Sequence, residues 1–402
     1  MTHRVAPEWV IVAGGFHDHG AMDRANAALA AHLLRQGVRV HLVGHEIDDR
    51  FRRDAYAQCY DVPRPVSAAP IAESLLSRRG LSVAVRVTAA CPEARVVVNG
   101  GNCPWPDINW VHAVHAAWPV CDEGAPAWVK VKHRAVKALA RRQERAALRT
   151  ARLVIANSRA TERFIVAAGL ARPSAVHTVY LGSDSSWARP RAGERTAARA
   201  ALNLSQNDRV VAFVGTLGFD LNKGFDLLWG AWTRLTSDGG WDARLLVAGG
   251  GGRLPFWRRA AERAGAADRV QFVGHTSRVR EVLAAADLLV SPVRYEAYGL
   301  NVQEALCRGT GVMVTADAGI VERFGNELRE CVLPPNVTSE ALANALRAWA
   351  HDVEGWKVRA ASTAARLQSR TWDDMASEIV AHAADATGDP APGMNPLHVN
   401  RR

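Results

Sequence analysis

The chain has 402 residues, 48% of them hydrophobic and 22% charged, with a formal net charge of +10. That length exceeds one ordinary core and fits a two-domain α/β protein, while no apolar run reaches the roughly 20 residues of a membrane-spanning helix. Arginine carries nearly all of the charge, because lysine stands only at 130, 132, 137, 223 and 357. The charge therefore reads as compositional bias, and no nucleic-acid partner is inferred from it. Cysteines at 59, 91, 103, 121, 307 and 331 show no Cys-x-x-Cys pairing and no histidine at zinc-finger spacing. Neither a disulfide framework nor a structural zinc site is expected.

Residues 1–7 lead directly into a strand without the pattern of a targeting segment, so a cytoplasmic protein is expected. Strand-like runs then alternate with helix-like ones, the pattern of parallel sheets built from β-α-β units. In the first half the predicted elements are a strand at 9–13, a helix at 21–36, and strands at 38–43, 95–98, 108–114 and 153–156. A basic helix fills 130–152, with Arg141, Arg142, Arg145 and Arg149 at helical spacing among Ala and Leu. It reads as a solvated amphipathic face or as a peripheral contact with anionic lipid at the inner membrane face. The polar, Pro-containing stretch 183–194 breaks the periodicity as a linker does. Strands are predicted again at 209–215, 244–248, 270–273, 288–291 and 311–315. The expected organisation is a first Rossmann-like domain at 1–185, a linker at 186–197, a second domain at 198–370, a helix at 371–385 that returns to the first domain, and a disordered tail at 386–402.

Several residues carry possible chemistry. Glu296 and Glu304 lie eight positions apart around Tyr298-Gly299-Leu300, after an apolar strand and at the start of a helix pattern that includes Asn301. Ligands of open α/β sheets bind beyond the carboxyl ends of the strands, where free helix N–H groups can hold a phosphate and carboxylates suit sugar hydroxyls. Gly215-Thr216 follows another strand and precedes Lys223, the only lysine between 137 and 357. Gly215 permits close backbone approach to a pyrophosphate, and Lys223 supplies a point cation. Gly14 and Gly15 close the first strand in a β-α turn. His112 and His115 end an apolar run, with Trp105, Trp110 and Trp118 nearby as core residues or as platforms for an acceptor.

In their order along the chain these segments resemble the retaining family 4 glycosyltransferases of GT-B fold, and the likeness runs over most of the sequence. The resemblance implies two doubly wound Rossmann-like domains facing a central cleft, the first for an acceptor and the second for a nucleotide-sugar donor. It makes Glu296-x7-Glu304 the family's paired glutamates, the first directed at the transferred sugar and the second at the ribose. It places Gly14, Gly15, Gly215, Thr216, Lys223, Gly299, Leu300 and Asn301 around the donor, and His115, or His112, against the donor sugar. Thr216 departs from the arginine that the family usually has there, and Arg294, Arg278 and Arg253 are the candidate replacements. No Asp-x-Asp occurs. The expected reaction is therefore metal-independent and cofactor-free, moving a hexosyl group with retention onto a carbohydrate, lipid-linked or small-molecule acceptor. Another GT-B enzyme, such as a nucleotide-sugar epimerase, and a non-catalytic basic surface-binding protein of the same fold are the alternatives.

Overall fold

The computed structural model describes residues 8–65 and 69–386. The predicted tail lies outside the described residues from position 387 on. The described residues divide into two compact units, the first within 8–118, 134–182 and 371–386, the second within 119–133 and 183–370.

The first unit holds a seven-stranded sheet of β1 (Glu8–Val12), β2 (Arg39–Gly44), β3 (Ala57–Asp61), β4 (Arg95–Asn99), β5 (Ile108–Val111), β6 (Leu153–Ala156) and β7 (Val176–Thr178). Their spatial order is 3-2-1-4-5-6-7 and every pairing is parallel. β1, β4, β5 and β6 are almost wholly buried, as expected of strands covered on both faces by helices. A second, two-stranded pairing of Gly15–Phe16 with Glu46–Ile47 extends the turns after β1 and β2.

The second unit repeats the pattern with β8 (Val210–Val214), β9 (Arg244–Ala248), β10 (Val270–Gly274), β11 (Leu288–Ser291), β12 (Gly311–Thr315) and β13 (Val332–Leu333), all parallel in the order 10-9-8-11-12-13. Both sheets thus carry the 3-2-1-4-5-6 order of the doubly wound fold, with the reversal of strand order beside the first strand of each.

Two features fix the units internally. Helix Trp372–Asp385 opens with a capping box from Thr371 and Asp374 and packs on helix Ala21–Arg35 of the first unit. There, Asp373 pairs with Arg35 and lies 3.1 Å from His32 Nδ1. In the second unit, Asp287 at the foot of β11 accepts from the Val210 N–H (2.9 Å) and pairs with Arg195, Arg199 and Lys357. The fully buried Arg199 also donates to the carbonyls of Ala285, Ser205, Gln206 and Asp208. Burial by itself raises the Asp287 pKa, but Arg195, Lys357 and the Val210 N–H outweigh it and hold the carboxyl below its usual range.

Within 186–197, expected as a linker, Trp187 is buried and a helix starts at Glu194, whose carboxylate pairs with Arg308. Arg308 also donates to the Ala188 carbonyl, so this stretch is tied to the second unit. The basic helix runs Ala127–Thr150. The strand expected at 108–114 ends at Val111, a correction with a local cause. The Glu144 carboxylate accepts from the N–H groups of His115 (2.8 Å) and Ala116 (3.2 Å), and the Val114 carbonyl accepts from Ala117 and Trp118, which turns the chain out of the sheet.

Candidate functional site

In the second unit the carboxyl ends of β8, β9, β10 and β11 bring the predicted donor residues together. The Lys223 ammonium lies 2.5 Å from Glu296 Oε2, and both side chains are partly open to solvent. Lys223 is set by the short 3-10 turn Leu221–Lys223, which Asp220 caps. Asn222 beneath it donates through Nδ2 to the Tyr295 carbonyl (2.8 Å), while its own carbonyl accepts from the Arg294 N–H (2.8 Å). The lysine segment and the glutamate loop are therefore joined through backbone atoms. Glu296 is fixed from the other side, because its carbonyl accepts from the Gly319 N–H (3.0 Å).

Gly299 caps helix Leu300–Cys307 with φ +104°, and a Cβ there would meet Ile320 Cγ2 at 3.0 Å. Glycine is the residue that takes this backbone without strain. The helix then presents its first N–H groups, which have no partner within a helix, beside the loop that carries Glu296. Asn301 Nδ2 donates to the Val214 carbonyl at the end of β8 (3.1 Å), tying the helix start to Gly215. Leu300 is buried, and Glu304, in the second helical turn, is 6% exposed. Thr216 is exposed and follows Gly215.

None of the three arginines considered as replacements at Thr216 is uncommitted. Arg294 makes a bidentate pair with Asp226 (2.9 and 2.7 Å), Arg253 donates to the Glu123 carbonyl (3.0 Å) and lies over the Phe256 and Trp257 rings, and Arg278 pairs with Glu281. Substitution by one of them would require breaking these contacts.

Sequence reasoning missed the glycine run 249–252 after β9. Gly249 has φ +154°, and a Cβ on it would fall 1.8 Å from the Gly215 carbonyl oxygen. The Gly215 N–H donates to Ala248 O and the Leu217 N–H to Gly250 O, so this run buttresses the Gly215–Thr216 turn. The four consecutive glycines were a visible signal for close backbone approach. Asn222 and the Arg294–Asp226 pair had none, because their partners are distant in sequence.

In the first unit, Gly14, His112 and His115 line one cavity of about 350 Å³. Gly15 lies beside it, where a Cβ would meet the side chains of His17 and Asp23. His112 directly follows β5, its ring 4.5 Å from that of Trp110, and its buried Nε2 has no hydrogen-bond partner. Burial pushes its pKa down to about 3, so the ring is neutral. The His115 pKa is also lowered, first by burial and then by Lys137 and Arg141. Trp110 is core, Trp105 packs on the cluster under β1 and β4, and Trp118 stacks parallel to His115 at 6.1 Å with Lys137 over its face. Among the described residues no group of three His, Cys, Asp or Glu side chains is placed to hold a metal ion.

The chain is similar to known proteins over most of its length. The family Glycosyltransferase Family 4 matches residues 22–187, and Glycosyl transferases group 1 matches 194–366. The D-inositol 3-phosphate glycosyltransferase of Mycobacterium sp. (strain KMS) is 34% identical over 238 residues, 58% of this chain and 48% of the relative. That of Mycobacterium leprae (strain TN) is 32% identical over 248 residues, 59% and 55% of the two chains. The chain spans about half the length of the curated relatives it matches. Among solved structures, WaaG, a glycosyltransferase involved in lipopolysaccharide biosynthesis, superposes with a TM-score of 0.72 at 18% identity, covering 95% of this chain and 100% of its own. Sucrose-phosphate synthase from Thermosynechococcus elongatus gives 0.72 at 19%, covering 93% and 97%. Anabaena HepE in complex with UDP-glucose gives 0.66 at 16%, covering 94% and 99%.

Two parallel doubly wound units with these structural neighbours define a GT-B fold. The two family matches together span most of the chain, which belongs to the family 4 glycosyltransferases.

Proposed function

We propose that the chain is a retaining, metal-independent hexosyltransferase that moves a sugar from a nucleoside diphosphate to an acceptor hydroxyl. The observation that carries this reading is the Lys223–Glu296 pair at 2.5 Å, held between the Gly215 turn and the start of helix Leu300–Cys307. A donor diphosphate needs a cation and helix N–H groups at one place, and its sugar needs a carboxylate beside them. Lys223, Gly299, Leu300 and Asn301 take the diphosphate, Glu296 the sugar and Glu304 the ribose, with Gly215 and Thr216 against the donor backbone. In the transfer, the bond from the anomeric carbon to the diphosphate oxygen breaks and that oxygen keeps the electron pair. The acceptor oxygen attacks the same face, and its proton passes to the departing diphosphate. Gly14, Gly15, His112 and His115, in or beside the cavity of the first unit, serve the acceptor. HepE, with UDP-glucose bound, supports a uridine donor, and the relatives' name supports a small cyclitol acceptor, phosphorylated in their case.

Thermal shift against UDP, GDP, ADP and their sugars tests the donor site. One nucleotide is expected to stabilise the protein by several degrees, the effect of saturating a site that the unfolded chain lacks, and Glu304→Ala is expected to abolish the shift. Absence of a shift with every nucleotide would favour a non-catalytic protein of the same fold.

A second partner follows from helix Ala127–Thr150, where Trp128 and Val131 are each 67% exposed beside Lys130, Lys132 and Arg134. No described helix is long and apolar enough to cross a membrane, so the contact we propose is peripheral, with anionic lipid. Sedimentation with phosphatidylglycerol vesicles should pull down the protein at low salt and not at high salt, and Trp128→Ser should weaken it. Equal binding to phosphatidylcholine vesicles, or no binding to either, would exclude this contact.

A further inference from the structure

The cavity of the first unit is acidic in a basic protein. The chain carries +10, yet the residues lining this cavity include four carboxylates, Asp23, Glu46, Glu73 and Glu144, and a single guanidinium, Arg64. Glu144 is occupied by the two backbone N–H groups of the turn at His115. Among the described residues, neither Asp23 nor Glu73 has a lysine or arginine within ion-pairing distance, and Arg64 acts on both from further away. The side chain nearest to Asp23 among its ion-pairing partners is His17, whose Nε2 is 3.8 Å away and also 3.5 Å from Glu46. Burial is the main influence on both carboxyls and raises their pKa values, while His17 and Arg64 for Asp23, and His45 and Arg64 for Glu73, pull the other way.

The buried polar atoms that lack a partner point to the same kind of ligand. Asn99 lines the cavity and is 4% exposed. Its Nδ2 donates to the Trp110 carbonyl, which leaves Oδ1, an acceptor, buried and unpaired. His45 also lines the cavity, and its Nδ1 lies 3.1 Å from the Val62 carbonyl. A carbonyl only accepts, so Nδ1 carries a hydrogen, and the buried Nε2 has no hydrogen-bond partner. An unpaired buried acceptor is costly, and the one on Asn99 shares a cavity with carboxylates. A hydroxyl would bring one donor together with further acceptor lone pairs, whereas a primary ammonium brings three donors, no acceptor and a compensating charge. The described residues hold no three-ligand metal cluster that would make a divalent cation the natural occupant.

We propose that this cavity selects a small ring compound bearing a primary ammonium group, an amino sugar or aminocyclitol, through Asp23, Glu73 and the unpaired Oδ1 of Asn99. That this compound is the glycosyl acceptor rests on the function proposed above; the ammonium preference does not. The volume, about 350 Å³, lies in the range of small-molecule sites.

Calorimetric titration of the full chain with glucosamine, glucose and N-acetylglucosamine tests the inference. Glucosamine should bind about tenfold tighter than either neutral sugar, the scale of one charge-assisted hydrogen bond. Glu73→Gln and, separately, Asp23→Asn should erase the preference while the melting temperature is checked for each variant. Equal binding of the three sugars, no detectable binding of glucosamine, or a preference that survives both substitutions would overturn the proposal. The thermal shift with UDP, recorded on the same samples, separates the two readings. A UDP shift without amine preference removes only the acceptor class, and an amine preference without a nucleotide shift removes only the donor reading.

Discussion

Lys223→Ala is expected to lower kcat by about 10²- to 10³-fold, the typical cost of removing one group that stabilises charge developing in a transition state. In the proposed transfer the diphosphate would gain negative charge as it leaves, and Lys223, beside Glu296, is the cation placed to meet it. Because the lysine is also the partner of Glu296 at 2.5 Å, its loss leaves that carboxylate unpaired. Glu296→Gln should therefore cost a comparable factor, and the double variant should fall well short of the product of the two losses, since the residues act as a unit. A rise in KM alone, with kcat unchanged for both single variants, would show that the pair merely binds the donor. Full multiplicativity would show that the two groups act independently.

The second large effect concerns stability. Asp287→Asn should destabilise the second unit by about 3–5 kcal/mol, because Arg199 and Lys357 lose the carboxylate that compensates them at a buried position. For a unit of this size that corresponds to a fall in Tm of roughly 10 °C. The pH dependence has a definite sign. Asp287 has its pKa held below the unfolded value, so its contribution is present above the ordinary carboxylate range and is lost as pH falls through the lowered folded value. The Tm gap between the natural protein and Asp287→Asn should therefore be widest near neutrality and close on acidification. A gap that stays constant into strong acid would show that the charge of Asp287 is not what stabilises the unit.

Most of the architecture was legible where apolar runs mark strands buried on both faces. The expected strands at 153–156, 244–248, 288–291 and 311–315 coincide with β6, β9, β11 and β12. The strands that escaped notice are β3, β7 and β13, which lie toward sheet edges or are only two or three residues long, so that they bury too few side chains to leave a pattern. The overrun at 108–114 has a different origin, since the turn after Val111 is imposed by a carboxylate 29 positions downstream of His115.

The candidate site shows the same division. Glu296, Glu304, Gly299 and Lys223 fall in two short segments with recognisable spacing, and the fold joins those segments through Asn222 and Tyr295. The commitment of Arg294 and Arg253 to other partners was invisible, because the carboxylates and carbonyls that hold them lie 68 to 130 residues away, whereas Arg278 pairs with Glu281 only three positions on. The acidic cavity was invisible for the same reason, with its carboxylates dispersed at 23, 46, 73 and 144 in a chain whose overall charge is opposite.

The first unit is closed by helix Trp372–Asp385 lying against helix Ala21–Arg35, with the whole of residues 183–370 intervening in the chain. Domains usually fold as they emerge from the ribosome, amino-terminal first. Here that order cannot run to completion. When residue 182 has been made, the face of Ala21–Arg35 against which helix Trp372–Asp385 packs is still uncovered, and it stays so throughout synthesis of the second unit. Translation thus delivers a finished second unit before a finished first one.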